Sequence, residues 1–248
     1  MKKYLLIMFT CMGIMTAHAQ DSLTQRKNSI KLDITSHLLY RNAFIVAYER
    51  VMSPHQTLVL SAGYQEFPKA LHLGQRIGVK RDNERRGYKF GADYRFYLRK
   101  ENKYLAPRGV YIGPYLTYHR FRNNRDLTFE TDASTQNVTL DSKFTIFNVG
   151  FQVGYQFLIA NRWAIDLSFI GPSLSKYKYT LDLEGNSTID KDEITNELIL
   201  DLLDRFPLLD DVVSEGEVTR KGKLDTWSFG YRYQLTVGYH FGRKKIKS

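Results

Sequence analysis

The chain has 248 residues, 43% of them hydrophobic and 14% aromatic, with a formal net charge of +10 and one cysteine. That cysteine count excludes a disulfide-stapled secreted module, and past the first twenty residues no run approaches the roughly 20 apolar positions of a membrane-spanning helix. The charge is basic, yet the first segment marks an exported protein, so nucleic acid is not an expected partner; anionic lipopolysaccharide is.

Lys2 and Lys3 precede an apolar run from Tyr4 to Met15, and Ala17-His18-Ala19 supplies a small-x-small cleavage site. This predicts a signal peptide over 1–19 and a mature chain over 20–248. Cys11 lies inside the apolar run, which leaves the mature chain without a thiol. A fold with neither disulfide nor spanning helix must seal itself by pairing strands, and a closed barrel leaves no strand edge open.

Segments that alternate apolar and polar follow near 30–39, 44–51, 57–67, 88–98, 110–121, 144–157, 163–174 and 227–241, eight in all. After a tight first hairpin, the connections are short (52–56), long (68–87), moderate (99–109), long (122–143), short (158–162) and very long (about 175–226). An even strand number with alternately short and long connections predicts an all-β, eight-stranded antiparallel transmembrane barrel. Its short turns and both termini face the periplasm.

The last segment alternates without a miss. Trp227, Phe229, Tyr231, Tyr233, Leu235, Val237, Tyr239 and Phe241 share one face, and Ser228, Gly230, Arg232, Gln234, Thr236, Gly238 and His240 the other. Side chains of a strand alternate with period two, so this is one continuous apolar, aromatic-rich face of the kind a barrel turns to lipid.

The opposite faces are polar. Lys31, Asp33 and His37 fall there on the first strand, Glu49 on the second, Lys89, Asp93 and Arg95 on the fourth, and Gln152, Gln156, Asp166, Arg232, Gln234 and His240 later. The charged members are Lys31, Lys89, Arg95 and Arg232 against Asp33, Glu49, Asp93 and Asp166, four of each sign. An eight-stranded barrel is just wide enough to be filled by side chains, so the expectation is a salt-bridged plug and no aqueous channel. Gly91, Gly150, Gly154, Gly230 and Gly238 fall on the same faces and leave room for long basic side chains. The strand at 110–121 is undecided, because Val110, Ile112, Leu116 and Tyr118 alternate with Tyr111, Tyr115 and Phe121. His37, His119 and His240 are each a conceivable general base, but none has a serine and an acid at a telling spacing, and no catalytic residue is assigned.

The stretch from Asp182 to Glu217 carries twelve acidic residues against Lys191 and Arg205, a net of −10, whereas 68–87 has a net of +4. The two loops would cap the mouth of the barrel by mutual attraction. Alternatively, the basic one would touch lipopolysaccharide and the acidic one an extracellular protein partner. Asp190 and Glu193 form a capping box, and Ile194, Leu198, Ile199, Leu202, Leu203 and Phe206 follow at helical spacing until Pro207, predicting a short amphipathic helix in the last extracellular loop. Asp182, Glu184, Asn186, Asp190 and Glu193, with Thr188 between, also echo a calcium-binding loop, although Ser187 stands where that loop has glycine. Calcium is the one cofactor the sequence raises.

The runs Tyr48-Glu49-Arg50-Val51-Met52-Ser53-Pro54, Ala106-Pro107-Arg108-Gly109-Val110-Tyr111-Ile112-Gly113-Pro114-Tyr115 and Val153-Gly154-Tyr155-Gln156-Phe157, continuing through Arg162-Trp163 to Asp166, resemble a family of small uncharacterised outer-membrane barrels of Bacteroidota. The architecture is similar to OmpA- and OmpX-type barrels. That resemblance implies a barrel in contact with outer-membrane lipid and brings no catalytic residues with it. The function expected is structural or surface-recognition, acting through the outer loops. The alternatives are a lipid-A- or phospholipid-modifying barrel enzyme, and a soluble lipocalin-like barrel with the Trp227 face turned inward around a ligand.

Overall fold

The computed structural model describes residues 24–66, 77–131, 134–160, 162–184 and 223–245. The signal peptide expected over 1–19, the amphipathic helix expected near 190–207 and the tips of the basic and acidic loops lie outside the described residues.

Among the described residues ten strands and one short helix follow in order: β1 (Thr24–Asp33), α1 (Ile34–Leu39), β2 (Arg41–Ser53), β3 (Gln56–Glu66), β4 (Ile77–Tyr97), β5 (Gly109–Thr131), β6 (Ser134–Ile159), β7 (Trp163–Ile170), β8 (Pro172–Glu184), β9 (Lys223–Tyr231) and β10 (Gln234–Lys245). Each strand from β1 to β6 pairs antiparallel with its successor. β6 then pairs with β7 through its last residues and with β8 through its middle. β7 and β8 are therefore one stave broken at Gly171. In the same way β10 pairs with β7 and β9 with β8, so β9 and β10 form one stave broken at Arg232 and Tyr233. β10 returns to β1, from Thr24 opposite Lys245 to Asp33 opposite Thr236, and the ring closes. Ten strands make an eight-stranded antiparallel barrel, with both chain ends of the described barrel at one end, here the near end.

The distribution of polarity is inverted relative to a water-soluble protein. Phe229 is 84% exposed and Phe151 68%, and Ile30, Phe44, Leu60, Phe90, Leu116 and Leu174 also face out. Buried inside are Lys31, Glu49, Arg95, Gln152, Gln156 and Asp166. A lipocalin-like barrel needs the Trp227 face inside; it is outside. On β5 the ambiguity resolves with Tyr111, Tyr115, Thr117 and Phe121 inward and Ile112 and Leu116 outward.

Three boundaries differ from the sequence reading. The first strand stops at Asp33, whose carboxylate accepts from the Ser36 amide and caps α1. An N-cap aspartate satisfies an amide that a continuing strand would have paired, and the period changes from 2 to 3.6. His37 is consequently carried to an exposed position, its Nδ1 3.0 Å from the Ala43 carbonyl oxygen, instead of lining the interior. Second, much of the chain expected as loop at 68–87, 122–143 and 175–226 is strand: β4 begins at Ile77, β5 continues to Thr131 opposite Ser134 of β6, β8 runs to Glu184 and β9 starts at Lys223. Over 80–86 and 122–126 the sequence is polar at both parities, so backbone pairing continues where apolar alternation has stopped, whereas on β8 Tyr177, Tyr179, Leu181 and Leu183 carry the alternation on. Third, the strand expected to run unbroken from 227 to 241 is interrupted at Arg232 and Tyr233, where the ladder passes from β8 to β7.

Candidate functional site

The interior is built in layers. At the near end Val51, Tyr97, Ala106 and Tyr111 form an apolar floor. Above it the inward positions of successive staves bring the charges together. Lys31 on β1 places Nζ 2.9 Å from Glu49 on β2 and 2.8 Å from Asp166 on β7. Arg95 on β4 reaches the same Asp166 at 2.6 Å, Glu49 at 3.6 Å and Asp93 at 3.3 Å. Arg232, at the break between β9 and β10, makes a two-pronged contact with Asp93 at 2.9 and 2.8 Å. Lys89 on β4 pairs with Asp33 at 2.8 Å. Each of the eight inward charges has an opposite partner within this set, and the formal sum is zero.

Neutral groups complete the network. Tyr111 donates to Asp166 at 2.7 Å, Gln156 donates to Glu49 at 3.0 Å and accepts from Lys31 at 2.8 Å, and Gln152 accepts from Arg232 at 2.7 Å. The guanidinium of Arg95 also lies 4.3 Å from the centre of the Tyr111 ring and that of Arg232 4.2 Å from Tyr115. A buried charge stays charged only when it is paired and hydrogen-bonded, and this arrangement supplies both. Tyr111 is absent from the sequence-derived set because the facing of its strand was open.

Beyond the plug the barrel holds a cavity of about 260 Å³. Its floor is Asp33, Lys89 and Arg232, and its walls carry Tyr115, Thr117, His119, Asn148, Ser173, Ser175 and Tyr177. Ser175 and Tyr177 lie past the strand end expected at 174, and Ser173 has no charge to single it out; the alternation Ser173, Ser175, Tyr177, Tyr179 is the signal. His119 takes a hydrogen bond on Nδ1 from the Gln65 side-chain amide at 2.7 Å. Further from the plug an aromatic collar follows, with Phe121 stacked at 6.0 Å on Tyr40 and 6.4 Å on Phe144, and Phe144 at 6.2 Å on Tyr177. Leu39, Tyr231 and Tyr233 line the cavity and are themselves exposed, so the cavity reaches the surface between α1 and the β9–β10 break.

Of the other sequence candidates, His240 is buried 2.9 Å from Ser29 Oγ, with Ser29 fully buried beside Glu49. Asp182 and Glu184 lie on the backbone of β8, and Asn186, Asp190 and Glu193 are outside the described residues.

No curated protein matches the chain. Among solved structures it is similar to CarO2 of Acinetobacter baumannii, at 9% identity and a TM-score of 0.37, over 87% of this chain and 98% of that one. It is also similar to a major outer membrane protein of Thermus thermophilus, at 9% identity and a TM-score of 0.34, again over 87% of this chain and 98% of the other. A family profile described as "Protein of unknown function (DUF3575)" matches residues 5–192, well over half of the sequence, and the chain belongs to that family.

Proposed function

We propose that the protein is an outer-membrane barrel with a plugged interior, whose work is structural or recognitive and is done by the parts that project beyond the lipid. The observation that carries this reading is the pairing of an apolar outer band with a charge-neutral interior. From Trp227 to Tyr239 the outward residues are apolar. Twelve strand steps of about 3.3 Å, tilted by roughly 40°, give a band of about 30 Å, the thickness of a bilayer's hydrocarbon. Even stave number and termini at one end support a periplasmic near end. The finer assignments, a Bacteroidota source and an OmpA- or OmpX-type architecture, belong to the same reading.

The β5–β6 hairpin supports a surface role. It continues well past the outward apolar residues Leu116 and Val149 to Thr131 opposite Ser134, so polar strand projects from the far rim. On this reading lipopolysaccharide meets the basic segment at 68–87, and the acidic stretch from Asp182 to Glu217 is offered to an extracellular protein. Calcium in that stretch remains part of the proposal, and loss of order there on adding a chelator tests it. The decisive experiment is extraction of envelopes: the protein is expected to stay with the membrane through alkaline carbonate and high salt and to leave only with detergent. Release by carbonate alone would overturn the assignment.

A further inference from the structure

The barrel wall is not sealed equally along its height. β1 pairs with β2 as far as Leu32 and with β10 as far as Asp33, where α1 begins. Beyond that level β9 is paired with β8 on one edge, and among the described residues nothing pairs with its other edge. Yet β9 carries Trp227, Phe229 and Tyr231 outward, so this edge lies at the depth of the apolar band. Unpaired backbone facing hydrocarbon is unfavourable and persists where it lines a cavity or a path. α1 closes only the lower part of the seam: the Leu235 amide donates to Thr35 Oγ1 at 2.7 Å and the Gln234 side chain to Asp33 at 2.9 Å.

We propose that the seam between α1 and β9 is a side portal, and that the cavity behind it binds a single-chain amphiphile with an uncharged, hydroxyl-bearing head drawn from the bilayer. The proposal rests on the membrane reading above. Tyr231 and Tyr233, outward on the last stave, and the exposed Leu39 of α1 also line the cavity, which gives an apolar chain a continuous path. Inside, Thr117, Asn148 and Ser175 bring hydroxyl and amide groups among aromatic walls, the mixture that fixes a polar head within an apolar pocket. The charges select against an anion. Lys89 is already neutralised by Asp33 and Arg232 by both oxygens of Asp93, so an anionic head would arrive unpaired. Size selects a single chain: about 260 Å³ is the share of roughly nine waters, room for a small head and a few carbons, with the remaining chain trailing through the portal.

The test uses the full mature chain in phosphatidylcholine nanodiscs with two probes, a monoacylglycerol and the matching fatty acid, each carrying a diazirine on a carbon close to the head. Illumination and peptide mass spectrometry are expected to place monoacylglycerol labels on inward residues such as Tyr115, Ile146 and Tyr177, at least tenfold above the fatty acid at pH 8. Ser175→Trp should reduce inward labelling at least tenfold while Leu116 and Val149 on the outer face stay labelled and the heat-modifiable folded band is kept; Thr117→Phe is the second filling variant should the first fail to fold. Labels on outward residues alone would overturn the portal, and equal inward labelling by the fatty acid would overturn the preference for an uncharged head. Failure to insert into nanodiscs at all would instead sink the membrane reading, so the two failures are distinguishable.

Discussion

Asp166 is a central carboxylate of the plug, since Lys31, Arg95 and Tyr111 all converge on it. Asp166→Asn keeps the shape but leaves two buried cations short of a counter-charge, and breaking a buried pair in this way costs about 3–5 kcal/mol. Urea unfolding in lipid vesicles, followed by tryptophan emission, should show that loss. The bidentate contact between Arg232 and Asp93 adds a second expectation: Arg232→Met and Asp93→Leu together should cost less than the sum of the two alone, with a coupling of about 0.5–3 kcal/mol. Additivity would mean that the pair contributes nothing as a pair. The charged partners were legible because each sits at an inward parity on an alternating strand. Tyr111 was not, because Val110 and Tyr111 are both apolar enough to face either way, and the choice was made by the Asp166 carboxylate across the barrel.

On the proposed membrane reading, secondary-structure elements respond to two different solvents. On β5 Leu116 faces out within the apolar band, and Leu116→Arg is expected to cost about 2–4 kcal/mol if it lies near the bilayer midplane, as charges on the lipid face of a barrel do. Ser168→Thr, on the inner face, is a control that keeps the hydroxyl bonded to Gln152. The measurement is the folded fraction in vesicles by heat-modifiable mobility. α1 makes a separate claim: Thr35→Val removes the acceptor for the Leu235 amide, worth about 0.5–1.5 kcal/mol, and should accelerate hydrogen exchange at that one amide while β1 and β2 stay protected. Unchanged exchange would show that α1 does not seal the seam. The helix was hidden in the sequence because Ile30, Leu32, Ile34 and Leu38 continue an apolar spacing that a strand would also satisfy. The side-chain cap from Asp33 is what turns the chain.

The barrel as a whole should not conduct. Eight inward charges that cancel in pairs, a floor of packed aromatics beneath them and an aromatic collar beyond the cavity leave no continuous aqueous path among the described residues. Planar-bilayer recordings of the purified protein are expected to stay at baseline; stepwise conductance in the range of a porin would contradict the plug. Replacing Lys31, Arg95 and Arg232 together by alanine vacates the middle of the barrel, and if that variant folds it should be leakier than the parent.

Alternation is a local property: each residue of a barrel strand faces either outward or into the packed interior, so apolar and polar faces are written into consecutive positions and can be read off the chain. The barrel class, the number of staves and the inward charges all follow from that rule. What alternation does not encode is which strand meets which at a distance. The splitting of two staves at Gly171 and at Arg232, the polar strand beyond the apolar band, the coupling of Tyr111 to Asp166 and the open seam beside α1 all depend on partners up to two hundred residues away. Those partners come together only when the ring closes, because a backbone amide satisfied by a distant strand leaves no trace in the polarity of its own side chain.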